Sequence, residues 1–214
     1  MATAEARGRR IRRRPEVARG EILAAAASVF AEHGFEGARL ERIAGIAGIN
    51  VSLIYHYFRN KEDLFLAVLE EAYAKMRDHA HDNRIRDPDP VAAMVAFVKA
   101  RFRIFRENPE LVGLLNAENV HKAVHIAKSA TIPGLYGPLV AELDALLKRG
   151  AAAGVFRDDV DATDLFLTVT GVGYFYLSNR YTLGVVLGTD LEDPARIARH
   201  EAHMVDVVLS YLRP

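Results

Sequence analysis

The sequence has no cysteine. Disulfides, thiolate metal sites and thiol redox sensing are excluded with it. No run of about 18 apolar residues occurs, so no membrane-spanning helix is expected. The arginine-rich beginning is not followed by the apolar stretch of a secretory signal, and a cytoplasmic location is the expectation. A glycine-rich phosphate loop, a Gly-x-Ser-x-Gly turn, a paired-carboxylate signature and a metal-spaced Cys/His set are all missing, which argues against an enzyme. His200-Glu201-Ala202-His203 does not have the zinc-protease spacing and reads as one face of a helix. No metal and no cofactor is expected. Strand-like alternation and internal repeats are lacking too.

What is there is apolar and helical. Half of the 214 residues are apolar, enough for one large domain or two small ones with a real core. The net charge of zero hides an asymmetry. Residues 1–61 carry 11 Lys and Arg against 6 Asp and Glu, and residues 62–214 carry 17 against 22. A basic first third on an acidic remainder suits a nucleic-acid reader joined to a body that does not bind nucleic acid. Six arginines within residues 1–14 supply most of the excess. That segment reads as an arm, either solvated or tracking phosphates and a minor groove.

Helical periodicity runs through the rest. Glu16 to His33 places Ile22, Ala25, Ala26, Val29 and Phe30 on one side, and Gly34 ends the helix with Phe35 folding back. A short helix from about Arg39 to Ala47 is followed by Gly48, which supplies a positive φ, and by Asn50, a good N-cap. The next helix, about Val51 to Tyr57, carries Tyr55, His56 and Tyr57 in a row, with Leu53, Ile54 and Phe58 as its buried anchors. A long helix then runs from Lys61 to about 81. Further helices are expected at about 90–106, 109–120, briefly within 121–130, up to Ala153, from Asp161 to Asn179, and from Pro194 to Leu212, with a Gly/Thr-rich loop over 184–190. The fold class is all-α: an N-terminal three-helix helix-turn-helix domain over 15–60, joined to a larger helical ligand-binding and dimerisation domain over 61–214.

The segment from Ile22 to Leu69, read as ILAAAASVFAEHGFEG, RLERIAGIAGIN and LIYHYFRNKEDLFLAVL, resembles the TetR family of bacterial transcriptional repressors. YFYLSNRYTLG at 174–184 looks like one of that family's ligand-domain subtypes. The chain departs from the usual pattern at Ala38, where a capping Ser or Thr is common, and at Val51, Ser52 and Leu53. The missing cap should cost about 1 kcal/mol locally. The altered helix start should change which bases are read. The resemblance implies that Tyr55, His56, Tyr57 and Lys61 touch DNA. From their place at the helix start, Val51 suits a thymine methyl and Ser52 a base or a phosphate. Arg39 and Leu40 sit where a phosphate would meet a helix N-terminus. One of the two tyrosines could instead be packed in the core, and Tyr55 is the candidate.

Two such readers held roughly 34–36 Å apart would match a palindromic double-stranded operator, which requires a homodimer. The expected dimer surface uses two helices per subunit: Leu139, Leu143, Leu146 and Leu147 on one, and Ile197, Met204, Val205, Val208 and Leu212 on the last. The middle helices offer an apolar lining with a few polar tips for a small-molecule effector: Phe97, Phe102, Phe105, Leu114, His121, His125, Phe166, Thr170, Tyr174 and Tyr176. On a continuous helix His121 and His125 would share a face. The sequence leaves repressor, activator and a helical ligand-binding dimer without an operator as alternatives, with a ligand-released repressor favoured.

Overall fold

The computed structural model describes residues 15–80 and 83–214. The arm expected over 1–14 lies outside the described residues. Among them are ten α-helices, two short 3-10 turns and no strand. In chain order the helices are α1 (Pro15–Gly37), α2 (Leu40–Ala47), α3 (Val51–Tyr57), α4 (Lys61–Ala80), α5 (Pro90–Glu107), α6 (Pro109–Val120), α7 (Gly137–Ala152), α8 (Ala162–Ser178), α9 (Arg180–Leu187) and α10 (Pro194–Leu212). No described helix is long and apolar enough to cross a membrane.

Local chemistry sets most of these boundaries. Asp89, Asp161 and Asp193 cap α5, α8 and α10 by accepting from the amides of Val91, Asp164 and Ala195 at 2.9, 2.9 and 3.2 Å. Pro90 and Pro194 follow two of these caps in the first turn, where a missing N–H costs nothing. α1 breaks at Gly34, and the Phe35 ring returns to stack 6.3 Å from Phe30.

Two elements differ from expectation. Residues 180–187 form α9, where the Gly/Thr composition had suggested that a loop begins at 184; Gly188 closes the helix, its amide returning to the Gly184 and Val185 carbonyls. The segment after α6 is not a continuous helix. Lys122 and Ala123 take positive φ values of 56° and 62°, and only Ile126–Lys128 winds again, as a 3-10 turn.

α1, α2 and α3 pack around Ile22, Ala26, Phe30, Ile43 and Ile54. In the larger part α5 is central, with α4, α7, α8 and α10 against it. The two parts meet where α6 lies across α1. There the backbones approach so closely that a Cβ on Gly113 would stand 2.4 Å from the Ala31 carbonyl oxygen.

Candidate nucleic-acid interface

α3 is short, and its period divides it cleanly. Ile54 and, just beyond the helix, Phe58 are buried, at 1% and 5% exposure, and hold the helix to α1 and α2. Ser52, Tyr55, His56 and Arg59 are all exposed and recur at the three- and four-residue spacing of one helical face. The turn into α3 is rigid. Gly48 is left-handed (φ 63°) and the Ile49 amide returns to the Ala44 carbonyl at 3.0 Å. Asn50 Oδ1 then accepts from the Ser52 amide at 2.9 Å. The result is a stripe of hydroxyl and imidazole groups on a helix fixed from behind, the arrangement that a major groove admits.

The eight residues singled out in the sequence divide accordingly. Ser52, Tyr55 and His56 share the exposed face, and Arg39 is exposed at the N-terminus of α2, where its side chain makes no capping bond. Val51 and Tyr57 are half-buried against the core. The packed tyrosine is therefore Tyr57 rather than Tyr55, because residue 57 lies three positions from Ile54 and turns inward with it. Leu40 is buried, so its side chain packs under the start of α2. Lys61 is held away from a free role: its Nζ donates to the Glu36 carbonyl at 3.2 Å and lies 4.8 Å from the centre of the Phe35 ring. Arg59 sits at the end of the exposed face, paired with Asp63 at 3.1 Å.

The ten residues expected to line a pocket fall into separate groups. Phe102, Tyr176 and His200 cluster between α5, α8 and α10, with the Tyr176 and His200 rings stacked at 4.1 Å. Phe105 meets Tyr174, whose hydroxyl donates to Asn116. Phe97 is core, and Leu114 borders a cavity of about 150 Å³ between α1, α4 and α6. Phe166 packs on Tyr136, with Tyr73 next along; Thr170 is one turn further on α8. Burial raises the Tyr73 hydroxyl to about 12 and also raises that of Tyr136.

His121 and His125 belong to none of these groups. They sit at the junction, 5.5 and 4.7 Å from the Phe35 ring, and His125 also meets Phe65 of α4 at 5.0 Å. Glu118 accepts from the His125 and Ile126 amides at 2.9 and 3.0 Å and contacts His125 Nδ1 at 2.7 Å. Lys128 reaches Glu62 at 3.1 Å and Ser129 donates to Glu70 at 2.6 Å, so this turn is pinned to α4.

The expected dimer residues are a correction. Leu139, Leu143, Leu146, Leu147, Met204, Val205, Val208 and Leu212 are buried inside the single chain, and Ile197 is half-buried against the same core. The Leu/Val periodicity marked the inner face of each helix. Outward apolar side chains lie instead on α8 (Leu167, Val172, Phe175), α9 (Val185, Val186) and α10 (Val207, Tyr211).

Residues 22–68 match the family model described as bacterial regulatory proteins, tetR family, and residues 90–208 match that of the tetracyclin repressor-like C-terminal domain. The chain is 37% identical over 195 residues to the HTH-type transcriptional repressor NicS of Pseudomonas putida, covering 91% of this chain and 92% of that one. It is 35% identical over 159 residues to the repressor SCO4008 of Streptomyces coelicolor, covering 73% and 77%. The crystal structure of the putative transcriptional regulator SCO4942 from S. coelicolor has the same fold, with a TM-score of 0.69 at 22% identity over 92% of this chain and 99% of that one.

Proposed function

Because the chain belongs to the TetR family of bacterial transcriptional regulators, we propose that it is a repressor that binds a palindromic operator as a homodimer and leaves it when a small-molecule effector binds. Residues 15–60 read the DNA and residues 61–214 pair the subunits and take the effector. The observation that carries this reading is the exposed Ser52, Tyr55 and His56 stripe on a helix anchored by Ile54 and Phe58. Tyr55 and His56 fix register on phosphates, Ser52 meets a base edge or a phosphate, and Arg39 approaches the backbone.

The second copy covers the outward apolar faces of α8 and α10, two helices per subunit forming an isologous four-helix bundle. Effector binding shifts α4, which carries the reader, through the Glu118–Ser129 turn pinned to Glu62, Phe65 and Glu70. Affinity for DNA then falls by about 5- to 150-fold, a coupling of about 1–3 kcal/mol. The test is a gel shift on the DNA upstream of the protein's own gene across a salt series. A log-log slope growing by about 0.9 per phosphate contact is expected. Joint replacement of Tyr55 and His56 by Ala should abolish specific binding, and unchanged affinity at fixed salt would overturn the assignment.

A further inference from the structure

Two acidic or basic side chains other than histidine are buried among the described residues, Glu118 and Arg101, each 2% exposed. Glu118 is matched by the three contacts of the His125 turn. Arg101 is not matched. Its Nε and Nη1 have no hydrogen-bond partner, and its guanidinium rests on aromatic rings, 5.2 Å from the centre of Phe166 and 5.8 Å from that of Tyr136. It is inside because α5 puts it there: Phe97 and Val98 one turn before it and Ile104 and Phe105 one turn after are all buried.

A guanidinium does not escape burial by losing its proton, so the site holds a positive charge in need of an anion. Ring contacts offset only part of that desolvation. Burial pushes the Arg101 pKa down, and the adjacent Tyr136 hydroxyl counters this only in part. Two further polar atoms are stranded on segments packed against α5. The Tyr136 hydroxyl and Thr170 Oγ1 are buried without a hydrogen-bond partner of normal geometry. Tyr136 and Phe166 are 5.4 Å apart, and Thr170 is one turn beyond Phe166 on α8, the helix packed against α5.

We propose that Arg101, Tyr136 and Thr170 bind the carboxylate of a small monoanionic effector whose apolar body lies among the rings of Tyr73, Tyr136 and Phe166. The assignment rests on the effector-responsive reading above. The planar guanidinium fork matches the two oxygens of a carboxylate, and the hydroxyls add two donors. One cation balances one negative charge. A phosphate dianion would bring a second negative charge that a single guanidinium does not balance.

The test is thermal unfolding of the full-length protein with benzoate and hexanoate, against benzamide and phenyl phosphate. Wild type should gain about 3–6 °C at ten times the carboxylate Kd and nothing comparable from benzamide. Arg101→Met should lose that response. Without additive it should melt at or above the wild-type temperature, because an unmatched buried charge has been replaced by an apolar chain. The proposal is overturned if carboxylates stabilise wild type no more than benzamide, if phenyl phosphate binds more tightly, or if Arg101→Met still responds. Should Arg101→Met not fold, Tyr136→Phe decides: a several-fold weaker benzoate Kd supports the site and an unchanged one overturns it. Gel shifts on the same samples separate the two levels. Operator binding without any carboxylate response sinks only this site, and a carboxylate response without operator binding sinks only the repressor reading.

Discussion

Replacing Gly113 by Ala tests how the two halves are joined. An added Cβ would stand 2.4 Å from the Ala31 carbonyl oxygen and 2.9 Å from the Ala31 carbonyl carbon and Cα. Ordinary contact begins near 3.4 Å, so α1 and α6 must separate by about 1 Å. The obstacle is main chain, which cannot swing aside as a side chain would. Overpacking of this kind costs about 1–3 kcal/mol. The helical preference of Ala over Gly returns about 0.5–1 kcal/mol. The net loss of about 0–2.5 kcal/mol lowers the melting temperature by up to roughly 10 °C. Gly20 on α1 is the internal control, since a Cβ there meets nothing within 4 Å. Gly20→Ala should therefore stabilise by about 0.5–1 kcal/mol. Calorimetry on both variants reads the difference, and gel shifts read whether operator affinity changes with the spacing of α1 and α6. Equal melting temperatures for the two would refute the close-approach argument.

Tyr55→Ala should leave the melting temperature near wild type and weaken DNA binding, whereas Tyr57→Ala should lower stability by about 1–3 kcal/mol as a packed ring is lost; thermal melts and gel shifts on the pair separate reading from packing. Phe175→Glu, at a side chain 58% exposed, should leave the protomer folded and drive sedimentation towards monomer, because two-fold pairing sets like charges near each other. Burial keeps the Tyr73 hydroxyl protonated up to about 12, above the ordinary 10.0. The fold therefore favours the neutral ring, and that stability is intact below pH 10 and lost as pH rises towards 12. Melting temperatures across this window should fall for wild type and fall less for Tyr73→Phe.

The helix-turn-helix was legible because its signals are local. Gly48, Asn50 and the bounds Val51–Tyr57 follow from backbone sterics and a side-chain cap, which need no knowledge of the rest of the chain. The side on which Tyr57 falls was misread, although its spacing from Ile54 already placed it on the inner face. α9 was hidden by its own composition: glycine and β-branched residues weaken the helical signal, and none of its residues is buried within the chain to create a periodic stripe. Apolar periodicity found the α7 and α10 faces but could not tell a protomer's core from a surface between protomers, since burial in either needs the same residues. Arg101 went unnoticed because charge suggests solvent, although the phase set by Phe97, Val98, Ile104 and Phe105 pointed it inward. The company it keeps comes from α8 and from the segment before α7, and only the tertiary fold brings these together.

The Glu118 carboxylate that clasps the His125 turn carries one more implication. Its hydrogen bonds are spent on the turn itself, on the His125 and Ile126 amides and the His125 ring, and its charge also acts on the Tyr73 hydroxyl. A substitution there would leave the exposed face of α3 intact while slackening the piece that leans on Phe35 and Phe65. The outcome would be a deaf regulator, one that fills with its inducer and stays on its promoter, so genetic screens for uninducible alleles should converge on residue 118 and its two neighbours in the clasp.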